Sequence, residues 1–214
     1  RARNRRRVID TLRQRGTASR AEIARLTGLS RSTVSSLVGE LQDAGLVVET
    51  TGAGDGGVPR GQLQGRPPGQ RALDRRAGAA LGIDFGHDDI RVAVADLART
   101  VLAERVVEGI DVDHAGTGAL DLAAHLAAEA LEDADMPTER VIGAGVALSG
   151  PVDHEADVVH RSAILPSWVD IRPGADLSRR LSLPVHVEND ANLGALAEVT
   201  MGAARGCRHA IYVM

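Results

Sequence analysis

GIDFGHDDI, residues 82–90, is a short apolar run that enters an Asp-x-Gly turn and then continues into His87, Asp88 and Asp89. An Asp-x-Gly turn after a strand is typical of a phosphate-binding loop. Such loops offer backbone N–H groups, hydroxyls or cations to the anion, whereas this turn continues into two carboxylates. The stretch therefore predicts a strand and a turn, and it leaves open whether the turn holds a nucleotide or has lost that role.

Further apolar segments surround this stretch and predict the class of the fold. Strand patterns occur at residues 80–85, 90–96, 101–110, 141–148 and 184–188, and amphipathic helix patterns occur at residues 118–133 and 191–201. Strands and helices in this order indicate an α/β domain with a mixed sheet.

Asn189 and Asp190 directly follow the last predicted strand. The carboxyl ends of strands are where α/β sheets usually place ligand sites, which makes these two residues candidates. Asn and Asp are also favoured at the N-cap of a helix. Position alone does not decide between a cap and a ligand site.

The distribution of charge separates two parts of the chain. Residues 1–76 contain 15 Arg against 7 Asp and Glu, and residues 77–214 contain 10 Arg against 22 Asp and Glu. A basic segment joined to an acidic one predicts a nucleic-acid-binding module at the N-terminus, with a solvated basic tail as the alternative. Aromatic residues are only 1% of the chain, which argues against recognition by base stacking.

The basic part shows the pattern of three helices. Val8, Ile9 and Leu12 share one side of a first helix that Gly16 ends. Ser19-Arg20-Ala21-Glu22 fits a capping box and starts a second helix, whose predicted apolar side is Ile23, Ala24 and Leu26. A third helix at residues 31–44 would bury the apolar residues Val34, Leu37, Val38 and Leu41.

Short polar and basic residues face outward at the start of the third helix. Hydroxyls and helix N-terminal N–H groups can bind phosphate while arginine reaches a base edge in the major groove. Two helices joined by a short turn with a glycine make a helix-turn-helix, and a packing module without DNA is the alternative. The predicted DNA-binding residues here are Arg20, Ser30, Arg31, Ser32, Thr33, Ser35 and Ser36.

A wing and a linker are predicted after these helices. Residues 46–50 resemble a strand, and residues 52–70 are rich in Gly, Pro and Gln. Within them, Gly65-Arg66-Pro67-Pro68 is either a minor-groove contact through Arg66 or a stiff spacer. The predicted domains are a winged helix-turn-helix at 1–52, a linker at 53–77 and the α/β domain at 78–214.

The chain resembles the ROK family of repressors and sugar kinases, which has an actin-like, hexokinase-like fold. The motifs that carry the resemblance agree in order and spacing over nearly the whole chain. They are GIDFG at 82–86 with RVAVADL at 91–97, SGPVD at 149–153, LPSW at 165–168 and PVHVENDAN at 184–192, with Ala197, Glu198 and Gly202 after it. The resemblance includes the winged helix and the Gly-Arg-Pro linker of the repressor branch.

The resemblance implies that Asn189, Asp190 and Gly150 bind a sugar. In kinase members the residue at the Asp190 position is the general base that activates the attacking hydroxyl. The carboxylates after Asp84 and Gly86 indicate a vestigial phosphate loop, so no catalytic residue is expected here. We therefore predict a sugar-responsive transcriptional repressor of carbohydrate-related genes. The alternatives are a ROK sugar kinase with a fused DNA-binding head and an inactive adaptor that only dimerises.

The expected partners follow from the same resemblance. They are a double-stranded DNA operator with an inverted repeat and a sugar or sugar-phosphate effector, with the protein a homodimer or homotetramer. No metal or cofactor is expected in this chain, and the family's zinc motif and second glycine-rich loop would lie after Met214. A single cysteine, Cys207, and no long apolar run indicate a cytoplasmic protein without a membrane segment.

Overall fold

The computed structural model describes residues 1–50, 69–153, 158–159 and 165–213. The chain divides into two compact units, each with its own hydrophobic core. The first unit is Arg1–Ala77 together with Leu97–Thr100, and the second is Gly78–Asp96 with Val101–Met214. Among the described residues, no helix combines the length and the apolar character that crossing a bilayer requires.

Three helices build the first unit, as predicted: α1 (Ala2–Arg15), α2 (Arg20–Thr27) and α3 (Arg31–Asp43). The capping box at the start of α2 is present, because Ser19 Oγ accepts the Glu22 N–H while Glu22 accepts the Ser19 N–H. Gly16 lies at the C-terminal end of α1, and Ser30 caps α3.

The predicted core of this unit is correct except at the end of α2. Val34, Leu37, Val38 and Leu41 of α3 are all buried. Leu26 is instead 43% exposed and Thr27 is buried. The reason is helical geometry, because Thr27 lies four residues after the buried Ile23 and stacks on the same face. The Thr27 hydroxyl donates to the Ile23 carbonyl at 2.6 Å, so it is satisfied there.

A three-stranded antiparallel sheet of order β1-β3-β2 completes a winged helix. Its strands are β1 (Thr17–Ser19), β2 (Val47–Thr50) and β3 (Gln70–Leu73). Because β3 pairs with both other strands, residues 70–73 belong to the winged helix and not to a linker. The first unit thus runs to Ala77, beyond the predicted boundary at residue 52. The Gly-Arg-Pro element with Arg66 lies outside the described residues.

The second unit contains a mixed sheet, as predicted, and its five strands have the order β10-β7-β4-β5-β6. β10, β7 and β4 are parallel to one another, while β5 and β6 continue the sheet antiparallel. A short hairpin, β8–β9, lies outside it. The strands are β4 (Ala79–Phe85), β5 (Asp89–Asp96), β6 (Val101–Glu108), β7 (Val141–Leu148), β8 (Val152–Asp153), β9 (Val158–Val159) and β10 (Val185–Asn189).

The helices of the second unit are α4 (Val112–Ala115), α5 (Thr117–Asp133), α6 (Pro173–Leu181) and α7 (Asp190–Thr200). Short 3-10 turns occur at Thr138–Arg140 and Pro166–Trp168. Helix α5 was predicted almost to the residue and contacts β5 and β6. Helix α6 was not predicted. Pro173 is favoured at the first position of a helix, but Gly174 is a poor helix former, so this segment resembles a loop in sequence.

The pairing register places three strand ends side by side. Phe85 of β4 lies opposite Leu148 of β7, and Leu148 lies opposite Asn189 of β10. Parallel strands end at the same edge of a sheet, so the segments that follow these three residues converge.

Candidate functional site

A cleft of about 1130 Å³ lies at this edge of the second unit. Three segments supply its polar lining: the turn after β4, the turn after β7, and the junction of β10 with α7. The lining includes Asp84, Gly86, His87, Ser149, Gly150, Pro151, Glu188, Asn189, Asp190 and Asn192. Asn189, Asp190 and Gly150, which the sequence nominated as sugar-binding residues, are thus brought together with Asp84 and Gly86.

Asp190 is the first residue of α7 and is half-buried. Its Oδ2 accepts a hydrogen bond of 2.6 Å from the Ser149 hydroxyl, and its Oδ1 accepts the Ala191 N–H at 2.7 Å. These two bonds come from different segments and fix the orientation of the carboxylate. A carboxylate held in this way can accept hydrogen bonds from hydroxyl groups of a ligand in the cleft.

Asn189 is the N-cap of α7. Its Oδ1 accepts the Asn192 N–H at 3.2 Å, and its Nδ2 donates to the Gly150 carbonyl at 3.2 Å. The two roles that the sequence left open, helix cap and ligand site, are therefore taken by different residues. Asn189 caps the helix and connects the β10–α7 junction to the turn after β7. Asp190 does not cap α7, and its carboxylate lines the cleft.

Glu188 is a lining residue that the sequence analysis did not nominate. Its Oε1 accepts the Asn189 N–H at 2.8 Å and an Asn192 side-chain N–H at 2.9 Å. It therefore braces the same junction from the strand side. Its place within the PVHVENDAN motif was the only indication in the sequence.

Asp84 contributes a second carboxylate to the cleft. Partial burial raises the pKa of Asp84 above its usual value, and the nearby carboxylates Asp89 and Asp190 add to this rise, while Arg91 opposes it. The cleft thus concentrates negative charge, which favours a neutral hydroxylated ligand or one that brings a cation over a bare anion.

Polar groups of the Asp-x-Gly turn make hydrogen bonds within the protein. The Gly86 N–H donates to the Asp89 carbonyl at 3.0 Å. A Cβ at position 86 would lie 2.1 Å from Asp89 Oδ1, so the Asp89 side chain would have to move if Gly86 were replaced. His87 Nδ1 lies 3.0 Å from an Asp113 oxygen and is directed at that carboxylate. The turn therefore joins β4 to β5, and its Gly86 N–H is already hydrogen-bonded and is not free to bind an anion.

No metal centre is apparent in the part of the chain that the structure describes, since it holds no group of three or more His, Cys, Asp or Glu side chains placed to bind an ion.

The second candidate site is the exposed face of α3 in the winged helix. Arg31, Ser32, Ser35 and Ser36 are exposed there, as predicted. Ser30 and Thr33 are partly committed to the helix, because Ser30 Oγ accepts the Thr33 N–H at 3.1 Å and lies 2.7 Å from Thr33 Oγ1. The predicted residue Arg20 lies at the start of α2, where its guanidinium donates to the Gln42 side chain at 3.3 Å.

A charged cluster flanks this face and was not anticipated. Glu40 of α3 forms ion pairs with Arg1 and Arg5 of α1, the latter at 3.0 Å. Hydrogen bonds from Arg1 and then Arg5 lower the pKa of Glu40 to about 2. The cluster connects the first turn of α1 to α3 and presents arginines beside the polar face.

Two family models match the chain. Residues 80–214 match the model of the ROK family, and residues 3–56 match the model of the MarR family. These ranges follow the two structural units, with the MarR match ending before strand β3.

The chain is similar both to repressors and to sugar kinases. A xylose repressor from Bacillus subtilis is 30% identical over 91% of this chain and 48% of its own length. The solved ROK hexokinase from Thermus thermophilus is 30% identical, with a TM-score of 0.52, over 60% of this chain and 40% of that one. A ROK-family transcriptional regulator, a homologue of the Escherichia coli Mlc protein, shares the fold over 92% of this chain and 48% of that one, with a TM-score of 0.60 and 24% identity. The chain thus spans about half the length of the curated relatives it matches.

Proposed function

Because this chain belongs to the ROK family, we propose that the protein is a sugar-responsive DNA-binding transcriptional repressor. One observation carries the proposal. The similarity to a xylose repressor extends over 91% of the chain and so includes both the winged helix and the α/β unit, whereas the ROK hexokinase matches only 60%.

The winged helix supplies the DNA-binding part of this proposal. Helix α3 has an apolar side fixed in the core and an exposed side with Arg31, Ser32, Ser35 and Ser36. An α-helix with short polar residues and an arginine near its N-terminus fits the major groove. We expect Arg31 to contact a base edge, while the serines contact phosphates. Arg66 remains a proposed minor-groove contact.

The cleft of the second unit supplies the sugar-binding part. Asp190, oriented by Ser149, accepts hydrogen bonds from sugar hydroxyls, and Asn189 and Gly150 form the wall beside it. Acceptors of this kind suit a ligand with several hydroxyl groups. A sugar bound here, or a sugar phosphate that brings a cation with it, would change the affinity for DNA by favouring one arrangement of the protein over another.

We further infer that the protein is a regulator and not an enzyme. The turn after β4 continues into Asp88 and Asp89, whose carboxylates would repel a phosphate group, and its Gly86 N–H already donates to the Asp89 carbonyl. The competing function is an ATP-dependent sugar kinase with Asp190 as general base, which the likeness to the Thermus thermophilus hexokinase favours.

The proposed operator is an inverted repeat bound by a homodimer or homotetramer, because a two-fold symmetric protein matches a two-fold symmetric site. A repressor of this kind acts in the cytoplasm, where bacterial DNA is found.

The DNA-binding proposal is tested by selecting a duplex from a random-sequence pool and measuring its affinity by fluorescence anisotropy. Arg31→Ala should weaken binding by about 1–3 kcal/mol and relax the preference at one base pair, while Ser35→Ala should weaken all sequences alike. Arg6→Ala is the matched control, because Arg6 is an exposed arginine of α1 whose guanidinium lies 3.9 Å from the Asp10 carboxylate. Unchanged binding in both α3 variants would refute the assignment of α3.

The sugar-binding proposal is tested with a panel of hexoses, pentoses and N-acetylhexosamines. One of them should raise the melting temperature of the parent and shift its DNA affinity, and Asp190→Asn should lose both effects. ATP consumption is measured with the same panel. Sugar-dependent turnover that Asp190→Asn abolishes would support the kinase and contradict the pure regulator.

A further inference from the structure

A second polar groove lies in the winged helix, on the side of α3 that faces the wing. We call it the α2–β3 groove. It has a volume of about 440 Å³ and lies between the start of α2, the outer face of α3 and strand β3. Its charged and hydroxyl-bearing lining residues are Ser19, Arg20, Arg31, Ser35 and Arg71.

Arg71 is unusual among the arginines of this unit because its side chain is only 8% exposed. Its Nη1 donates to the Gln70 carbonyl at 3.2 Å and lies 3.2 Å from Glu49 Oε1. Its Nε is buried, and none of the described residues accepts a hydrogen bond from it. A buried donor without an acceptor is costly, so this guanidinium has capacity for a further oxygen ligand.

The start of α2 adds backbone donors to the groove. The capping box uses the Glu22 N–H, which Ser19 Oγ accepts. The amides of Arg20 and Ala21, the first two residues of the helix, have no intrahelical acceptor. Helix N-termini of this kind attract anions through their free N–H groups and the helix dipole.

The charges around the groove also favour an anion. Arg20, Arg31 and Arg71 line it, and two carboxylates lie close by. Glu22 is engaged in the capping box, which lowers its pKa. Glu49 pairs with Arg71, but its own side chain is 50% exposed, so water can solvate the Glu49 carboxylate when Arg71 turns to another anion.

We propose that the α2–β3 groove binds a backbone phosphate of duplex DNA, with Arg71 as a phosphate-binding residue that turns its guanidinium from Glu49 towards the phosphate. Arg20 and the α2 amides hold the same phosphate from the opposite wall. The contact would place the start of α2 on the DNA backbone and so set how deeply α3 enters the major groove. This inference rests on the proposed DNA-binding function.

The test measures the salt dependence of binding to a fluorescein-labelled duplex of random sequence, about two helical turns long, because phosphate contacts dominate such binding. The variants are Arg71→Met, Arg71→Lys and Arg20→Gln, with Arg6→Gln as the control. Loss of one phosphate contact should reduce the slope of log K against log salt by about 0.9. It should also weaken binding about tenfold. Circular dichroism verifies that each variant is folded.

We expect Arg71→Met and Arg20→Gln to show this reduction, Arg71→Lys to restore part of the slope, and Arg6→Gln to match the parent. If the parent binds the duplex and Arg20→Gln and Arg71→Met both match it in slope and affinity, the proposed contact is wrong while DNA binding stands. If the parent binds no duplex at all, the proposed function itself has failed.

A second arm distinguishes DNA phosphate from the free ion. Inorganic phosphate replaces chloride at constant ionic strength while the Nε–H signals of the arginines are followed by NMR. Saturation of the Arg71 signal by phosphate, without any effect of the groove variants on the DNA slope, would overturn the proposal in favour of a free-phosphate site.

Discussion

Asn189 offers a test of how the sugar cleft is held together, because its side chain makes two separate contacts. Its oxygen caps α7 by accepting the Asn192 N–H, and its nitrogen donates to the Gly150 carbonyl, each at 3.2 Å. Asn189→Ser keeps a capping oxygen but is too short to reach Gly150. Asn189→Ala removes both contacts.

The expected costs follow from these two contacts. Loss of an N-cap costs about 1 kcal/mol, and loss of a hydrogen bond in a half-buried position costs about 1 kcal/mol. The free energy of unfolding should therefore fall by about 1 kcal/mol in Asn189→Ser and by about 2 kcal/mol in Asn189→Ala, on these same estimates. Both variants should also bind the effector sugar less tightly, because Asp190 loses the support of a fixed junction.

Urea unfolding followed by the fluorescence of Trp168 measures the effect. Trp168 is the only tryptophan and is fully buried in the second unit, so its emission reports on that unit and not on the winged helix. Glu129→Ala on α5, where the Glu129 side chain is 41% exposed and lies 3.4 Å from His125, is the control and should change stability by less than about 0.5 kcal/mol. Equal destabilisation by Ser and Ala would refute a contribution from the cap, and a loss below about 0.5 kcal/mol in Asn189→Ala would refute both contacts.

Three further outcomes are expected. Trp168→Phe should destabilise the second unit by about 1–3 kcal/mol, since it removes the 2.8 Å bond from the indole to the buried Val112 carbonyl; circular dichroism melting measures this, and an unchanged melt would contradict it. Asp84→Asn should stabilise the protein at neutral pH, because a carboxyl group whose pKa is raised by folding opposes folding when it is ionised. The gain in the free energy of unfolding should shrink as the pH falls through the raised pKa. A gain that grows on acidification would show that the pKa shift has the opposite sign. Leu41→Ala should cost the winged helix about 2–5 kcal/mol while the Trp168 transition stays in place, and a coupled shift of both transitions would show that the units do not unfold separately.

The α/β unit was largely predictable because local patterns and tertiary packing agree there. The buried alternation of Leu81, Ile83 and Phe85 marks β4, and the spacing of apolar residues marks α5. The winged helix was predictable for the same reason, since its capping box and the apolar side of α3 are local features. Helix α6 and strand β3 were missed because neither has an apolar pattern long enough to indicate an element by itself.

The sequence by itself determined which residues start, stop and face inward in most elements, since caps, turns and hydrophobic periodicity act over a few neighbouring residues. It also brought Asp190 and Arg31 forward as candidates through their motifs. Only the tertiary structure decided that Asn189 is the cap and Asp190 lines the cleft, and that Arg71 belongs to the winged helix. These outcomes depend on strand register and on contacts between residues far apart in the chain, such as Ser149 with Asp190, which no local pattern records.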